Sequence, residues 1–430
     1  MAKQPTKKST PVDDLRNLSP EQRRKLFLQS RKEEKPDYQV LTKDWVDELV
    51  PYGLITFDHV LGLGGISRHG RVSQVHGDEG VGKSTLTYVI AKNYQEYTGE
   101  PLGIFDFEGT GTPAYLERIG ADMDLVKLIQ PDSTEGAIKE TLNLLHSGCR
   151  FFIYDSIPCM KSLVEEKDIK SGKAFRANYG KHAQTMAKFF DILRPHVKRF
   201  DGHMFMINQT RARIDDSTEA QWANDYSYTN KTYELPGGKI CRFAPSVMVE
   251  LRMVKEVKPI KPGKALSGPD TDPFVVPMET SATAGKPMWN RVRARTLKNK
   301  VTGGGYREGY IWVEPGQGIN NNMSIRELAR EYGLISNSGP RYYVGVSKEE
   351  AIAGYPSKDA AIEDLVINEN PEVLSKLQEL VIEAIQNDNT DRHAADITEE
   401  EIRAAEGEDS LGVVGTGEVL NLEEDLPDEE

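Results

Sequence analysis

Six short apolar runs recur along the first three-quarters of the chain: Val72–His76, Gly103–Phe107, Phe151–Tyr154, Met204–Asn208, Val247–Met253 and Arg291–Thr296. Between several of them lie segments with the 3.6-residue period of helices, at 83–98, 134–147 and 174–200. Buried strands alternating with helices are the pattern of βαβ units, so residues 50–318 are expected to form an α/β core on a mostly parallel, twisted sheet. Two stretches, near 158–175 and 210–238, break the order. Each closely follows a strand, where open α/β sheets place their working loops. Beyond 320 the texture changes. Ser324–Tyr332 reads as a helix, and Pro371–Gln386 sets Val373, Leu377, Leu380, Val381 and Ala384 on one face. These predict a small α/β module over 319–392. Upstream, residues 1–12 are basic and rich in Pro, Thr and Ser, a composition that favours disorder. Ser19-Pro20-Glu21-Gln22 then opens a short helix, with Ser19 as cap, Pro20 in the first turn and Gln22 closing a capping box. Its Leu26, Phe27 and Leu28 cannot make a core unaided. Residues 1–49 therefore read as an arm and helix that dock on their own domain or on a neighbouring subunit.

Composition changes this picture in only two places. At 430 residues, 38% hydrophobic and 28% charged, the chain is ordinary for a globular protein with one large core and smaller attachments. No apolar run approaches the ~18 residues of a spanning helix, and the start MAKQPTKKST lacks the apolar centre of a secretory signal. Cys149, Cys159 and Cys241 have no metal-type spacing and read as reduced thiols, which suggests a cytoplasmic compartment. The net charge of −13 is carried by the end of the chain, since residues 396–430 hold 14 acidic residues and one basic. The preceding residues balance at 53 of each sign, so the acidity excludes no polyanionic partner. A disordered acidic tail over 393–430 is expected, a tethered polyanion able to compete with such a partner.

The most specific chemistry is Gly77-Asp78-Glu79-Gly80-Val81-Gly82-Lys83-Ser84, which fits GxxxxGK[ST] between a strand and a helical segment. Glycines let the backbone N–H groups curl around phosphate oxygens, and the following helix N-terminus favours negative charge. Lys83 is then placed for the β- and γ-phosphates, the Ser84 hydroxyl for Mg²⁺, and Thr85 for the α/β-phosphates. Three more strands end in polar groups. Phe151–Asp155 delivers Asp155, suited to the Mg²⁺ water shell. Gly103–Glu108 delivers Glu108, able to polarise a water, with Asp106 as the competing carboxylate. His203–Gln209 ends on Gln209, which can bond a γ-phosphate and release it after hydrolysis, ordering or freeing the stretch that begins there.

These elements, in this order, resemble the ATPase core of the bacterial RecA recombinase family and its phage relatives. Five segments carry the likeness: YGLITFDHVLGLGGISRHGRVSQVHGD, FDFEGTGTPAYLERIGADMDLVKLIQPDSTEGAI, INQTRARI, LPGGKICRFAPSVMVELR, and RVRARTLKNK followed by EPGQGIN. The resemblance spans about 50–390. It implies a RecA-like P-loop ATPase core, with a short N-terminal helical segment and a small C-terminal α/β module. Glu108 becomes the catalytic base, Asp155 the Mg²⁺-associated acid and Gln209 the nucleotide-state switch. Tyr115 stands where the family packs an aromatic ring on adenine, although Gly111-Thr112-Pro113 lacks the family's neighbouring acid. Lys298 and Lys300 match lysines that reach ATP bound by the adjacent subunit, so the site is complete only in a filament.

The two irregular stretches then correspond to DNA-binding loops. In the first, Lys161, Lys167, Lys170, Lys173 and Arg176 outnumber Glu165, Glu166 and Asp168, a modest basic excess, and Arg211, Arg213, Gly237 and Gly238 match family positions in the second. That second stretch departs from the family in Trp222, Tyr226 and Tyr228 and in five acids against three bases. The resemblance implies ATP and Mg²⁺ as cofactors. Its partners are single- and double-stranded DNA, further copies of the chain in a helical filament, and single-strand-binding and mediator proteins, but no membrane. The function it implies is ATP-dependent homologous pairing and strand exchange. A ring-forming helicase or branch-migration ATPase, and a non-catalytic recombinase regulator, are the alternatives.

Overall fold

A computed structural model of the chain describes residues 48–163, 180–212, 233–261, 269–279, 288–302 and 307–408, with the backbone alone at 211–212, 233–234 and 390–408. The N-terminal arm and helix expected before residue 48 lie outside them. The described residues belong to one compact unit. The order begins with α1 (Ile55–Val60), β1 (Arg71–Gly77), α2 (Lys83–Thr98) and β2 (Leu102–Asp106). It continues with α3 (Pro113–Arg118), β3 (Val126–Ile129), α4 (Thr134–His146), β4 (Phe151–Asp155), α5 (Lys181–Arg199) and β5 (His203–Gln209). Then follow β6 (Val247–Val257), β7 (Trp289–Asn299), β8 (Glu308–Glu314) and β9 (Gly318–Ile319). These strands build one nine-stranded sheet in the order β9-β8-β7-β6-β1-β5-β4-β2-β3. From β6 to β3 neighbours run parallel, and from β6 to β9 antiparallel.

The apolar runs are continuous because helices cover both faces of the parallel strands. Side chains of a strand alternate between faces, and β4 shows the consequence. Phe151 and Ile153 join a cluster with Leu86, Ile90 and Tyr94 of α2, whereas Phe152 and Tyr154 join one with Leu144 of α4 and Phe189 and Leu193 of α5. The core strands match the expected runs to within a few residues at either end. The helix expected at 174–200 begins at Lys181, residues 174–179 lying outside the described chain. The edge strand β3 and the short helices α1 and α3 carry too little apolar pattern to be read from the sequence.

The C-terminal module comprises α6 (Asn321–Glu331), an antiparallel sheet of β10 (Ile335–Ser338), β11 (Arg341–Gly345) and β12 (Ala351–Tyr355), then α7 (Lys358–Ile362) and α8 (Pro371–Glu408). Leu377, Val381 and Ile385 of α8 are buried with Ile325 and Leu328 of α6, and Ile55 and Phe274 from the large core enter the same cluster. Buried ion pairs join the two regions. Arg291 of β7 contacts Glu327 of α6 at 2.5 Å, and the Trp312 indole N–H donates to the same carboxylate at 2.7 Å. One expectation is corrected: residues 393–408, assigned to the disordered tail, continue the helix α8. The rest of the acidic tail lies outside the described residues.

Candidate active site

In the strand order β2-β4-β5-β1, four neighbouring parallel strands end side by side, and each delivers one group. The register puts Asp106 beside Asp155 and Gly77 beside Gln209. The loop after β1 needs glycine at its two ends. A Cβ on Gly77 would lie 2.2 Å from the Leu251 carbonyl oxygen, and Gly82 takes φ +90° as α2 begins. Val81 between them is 1% exposed and anchors the loop in the core. Lys83 donates from Nζ to the carbonyls of Gly77 at 3.1 Å and Asp78 at 2.5 Å, so its ammonium is folded over the loop. Burial lowers its pKa, opposed by the carboxylates of Asp155, Glu108, Asp78 and Glu79. The resulting pocket, about 250 Å³, is lined by Glu79, Gly80, Gly82, Lys83, Ser84, Thr85, Glu108, Asp155 and Gln209. Every lining residue is among those singled out from the sequence.

The three carboxylates have different surroundings. Asp106 accepts from the Gly109 amide at 2.9 Å and the Gly111 amide at 2.8 Å, so it ties down the loop after β2. Glu108 lines the pocket and Asp106 does not. Glu108 accepts at Oε1 from the Gln209 amide nitrogen at 2.8 Å and from the Ser156 hydroxyl. Base candidate and switch candidate are therefore directly bonded. Asp155 is pushed up to about 6, first by burial and then by the Glu108 and Asp106 charges, against the lowering effect of the Ser84 and Tyr88 hydroxyls. Its Oδ2 accepts from the Tyr88 hydroxyl at 3.2 Å, while Oδ1 is buried with no hydrogen-bond partner. Burial holds the Tyr88 phenol well above its usual pKa, so it remains a donor. An unpartnered carboxylate oxygen beside a serine hydroxyl suits a hard cation or its water shell. Ser84 and Asp155 thus fit Mg²⁺.

Three contacts at the site escaped the sequence reading. Ser156 follows Asp155 directly, and Tyr88 lies four residues after Ser84 on the same helix. Thr210 donates its hydroxyl to Asp78 and its amide to the Gly77 carbonyl at 3.2 Å, tying the residue after Gln209 to the phosphate loop. Tyr115 is half-buried on α3 and donates its hydroxyl to Thr85 at 3.1 Å.

Other predicted residues lie elsewhere. Lys298 pairs with Met248 on β6, which pairs with Gln74 of β1, three residues before Gly77 and the loop. Its ammonium donates to the carbonyls of Arg242 at 3.0 Å and Phe243 at 3.2 Å, and burial lowers its pKa, as do the charges of Lys300 and Arg194. The Lys300 amide donates to Ser246 at 2.9 Å, lower still on the sheet. Lys170, Lys173, Arg176 and Arg213 lie outside the described residues, as do Trp222, Tyr226 and Tyr228. Arg211 and Ala212 pair with Glu234 and Tyr233, closing the base of the second irregular stretch. Gly237 is buried at φ +91°, and a Cβ there would lie 2.3 Å from the Cys241 sulfur. A Cβ on Gly238 would lie 2.6 Å from that of Ala183 on α5. Close packing accounts for both glycines.

The profile of the RecA N-terminal domain matches residues 41–268, just over half the chain. The chain belongs to the RecA family. It is thus a RecA-family recombination protein. Protein RecA of Aquifex pyrophilus is 27% identical over 337 residues, covering 78% of this chain and 83% of the relative. Protein RecA of Bacillus subtilis is 26% identical over 360 residues, covering 83% and 89%. Among the described residues no helix is long and apolar enough to cross a membrane.

Proposed function

We propose that the chain is a DNA-dependent ATPase that assembles into helical filaments on single-stranded DNA and pairs it with homologous duplex. The observation that carries this reading is the Glu108–Gln209 hydrogen bond at 2.8 Å, with Gln209 opening the stretch 210–238. It couples the group that would polarise water to the segment that would meet DNA. The loop amides and Lys83 bind the triphosphate, and Tyr115 with Thr85 borders the nucleotide beyond the phosphates. Ser84 and Asp155 would hold Mg²⁺, which neutralises charge on the β- and γ-phosphates. Glu108 orients the attacking water and accepts its proton. Gln209 exchanges its bond to Glu108 for one to the γ-phosphate, so the nucleotide state reaches the second loop.

Lys298, two strands away and held by the Arg242 and Phe243 carbonyls, and Lys300, level with Val72, are both turned away from their own phosphate loop, which supports a role at the site of the next subunit. There they would stabilise charge on the γ-phosphate in the manner of an arginine finger. Lys170, Lys173 and Arg176 in the first loop, with Arg211 and Arg213 in the second, supply cations for DNA phosphates. Gly237 and Gly238 shape the exit of the second loop, and their role toward DNA is through that backbone.

The test is the ATPase rate with and without single-stranded DNA, with electron microscopy in a non-hydrolysable ATP analogue. Strong stimulation and long helical filaments are expected, with loss of strand exchange in Lys83→Ala. Closed rings would favour a translocating motor. Unstimulated turnover, or strand exchange intact in Lys83→Ala, would refute the mechanism.

A further inference from the structure

Three carboxylates crowd the ends of β2 and β4, and two are accounted for by the protein itself. Asp106 is held by two backbone amides, and Glu108 by Gln209 and Ser156. Asp155, 1% exposed, accepts from Tyr88 at Oδ2 at 3.2 Å and has the Ser84 hydroxyl beside it, but its buried Oδ1 has no hydrogen-bond partner. A buried acceptor left without a donor is costly, and the Asp155 carboxylate can turn about its side-chain bonds unless something fixes it. Tyr88 is that constraint. It lies one helical turn beyond Ser84, so both residues share the face of α2 that meets β4. Its ring packs against Tyr115 at 6.4 Å between centroids, and Gly111 leaves room for its hydroxyl, since a Cβ there would come within 3.1 Å of that oxygen. Tyr88 is 2% exposed and does not line the nucleotide pocket, so its hydroxyl acts on the cation site through Asp155.

We propose that Tyr88 is a positioning residue of the cation site: its hydroxyl occupies Oδ2 of Asp155 and so presents Oδ1 to Mg²⁺ or its bound water beside Ser84. The inference rests on the reading of Ser84 and Asp155 as the cation-holding pair. Helix α2 then reaches the cation twice, directly through Ser84 and indirectly through Tyr88. Phosphate loop and cation carboxylate thereby move as one piece.

The test is the affinity of the full chain for a fluorescent methylanthraniloyl-ATP, measured in EDTA and in saturating MgCl₂. Wild type should bind more tightly with Mg²⁺. In Tyr88→Phe, affinity in EDTA should stay within about twofold, and the Mg²⁺-dependent gain should shrink by about tenfold, as loss of one bond to a charged group implies. In an Asp155→Asn background, Tyr88→Phe should cause no further loss, because the two changes remove one interaction. A Tyr88→Phe chain with the full Mg²⁺-dependent gain would overturn the proposal. Equal weakening with and without Mg²⁺ would also overturn it, since that is what general loosening of α2 produces. Additive losses in the double variant would do the same. Wild type without any Mg²⁺-dependent gain, or Asp155→Asn retaining it, would overturn the underlying assignment of Asp155 and the proposal with it.

Discussion

Replacing Lys298 and Lys300 by alanine tests whether the ATP site is shared between subunits. The Lys300 amide is bonded to Ser246, and the Ser246 amide to Val72, so Lys300 lies level with a residue five positions before Gly77. At about 3.3 Å per residue this is roughly 16 Å along the sheet, and two strand spacings add roughly 10 Å sideways. A lysine side chain spans only about 6 Å. Lys298 lies somewhat higher, level with Gln74, but its ammonium is held by two carbonyls beside β6. Neither can reach the phosphates of its own loop. Lys298→Ala/Lys300→Ala should therefore lose DNA-stimulated turnover on the scale of a missing arginine finger, about 10³-fold or more. Lys83→Ala should be inactive too. The decisive assay mixes the two variants in equal amounts on single-stranded DNA and measures ATP hydrolysis. In a head-to-tail filament with random order, about a quarter of interfaces join an intact loop to intact lysines, so about a quarter of the wild-type rate should return. Light scattering would verify that both variants enter the same filaments. A mixture no more active than its components would refute the shared site, as would a lysine variant that hydrolyses ATP normally.

Glu108→Gln retains an oxygen that can accept from Gln209 and Ser156 but removes the base. DNA-stimulated kcat should fall about 10²- to 10⁴-fold with nucleotide affinity nearly unchanged; equal losses in both would show a binding role instead. Burial pushes the thiols of Cys149 and Cys241 up to about 12, so the reactive thiolate is scarce in the folded chain. At pH 8 a coloured thiol reagent should therefore modify only the half-buried Cys159 rapidly, and all three cysteines after denaturation. Because those folded pKa values are raised, ionisation of both thiols leaves stability untouched below about pH 8.5 and erodes it as pH climbs toward 12, so the stability difference between Cys→Ala variants and wild type should change with pH only on the alkaline side. Glu327→Ala leaves the buried Arg291 guanidinium and the Trp312 N–H without their shared acceptor. Urea denaturation should show a loss of about 3–5 kcal/mol, and a change near zero would mean that water replaces the carboxylate.

The site was legible where local order and chemistry coincide. A phosphate loop is contiguous in sequence because successive backbone amides must face one ligand, and so Gly77–Ser84 could be read directly. Glu108, Asp155 and Gln209 were legible because each ends an apolar run, and a strand buried on both faces turns polar only where it leaves the sheet. Tyr88, Ser156 and Thr210 were not. Each matters through a partner at another strand end, and nothing local to a tyrosine in an amphipathic helix points to a carboxylate 67 residues away. The choice between Asp106 and Glu108 rested on the family resemblance rather than on the run itself, since both close the same run.

What the sequence determined by itself is the alternation of buried strands and amphipathic helices, and with it the α/β class, the nucleotide loop and the placement of charge along the chain. These depend on periodicity and on residue types within a few positions of one another. What only the tertiary structure decided is strand order and register. Bringing β2, β4, β5 and β1 together in that order gathers three carboxylates and an amide around one loop, and it leaves Lys298 level with the middle of β1 and Lys300 near that strand's start. Long-range pairing is selected by the packing of whole faces against α2, α4 and α5, a property no short segment of the chain contains.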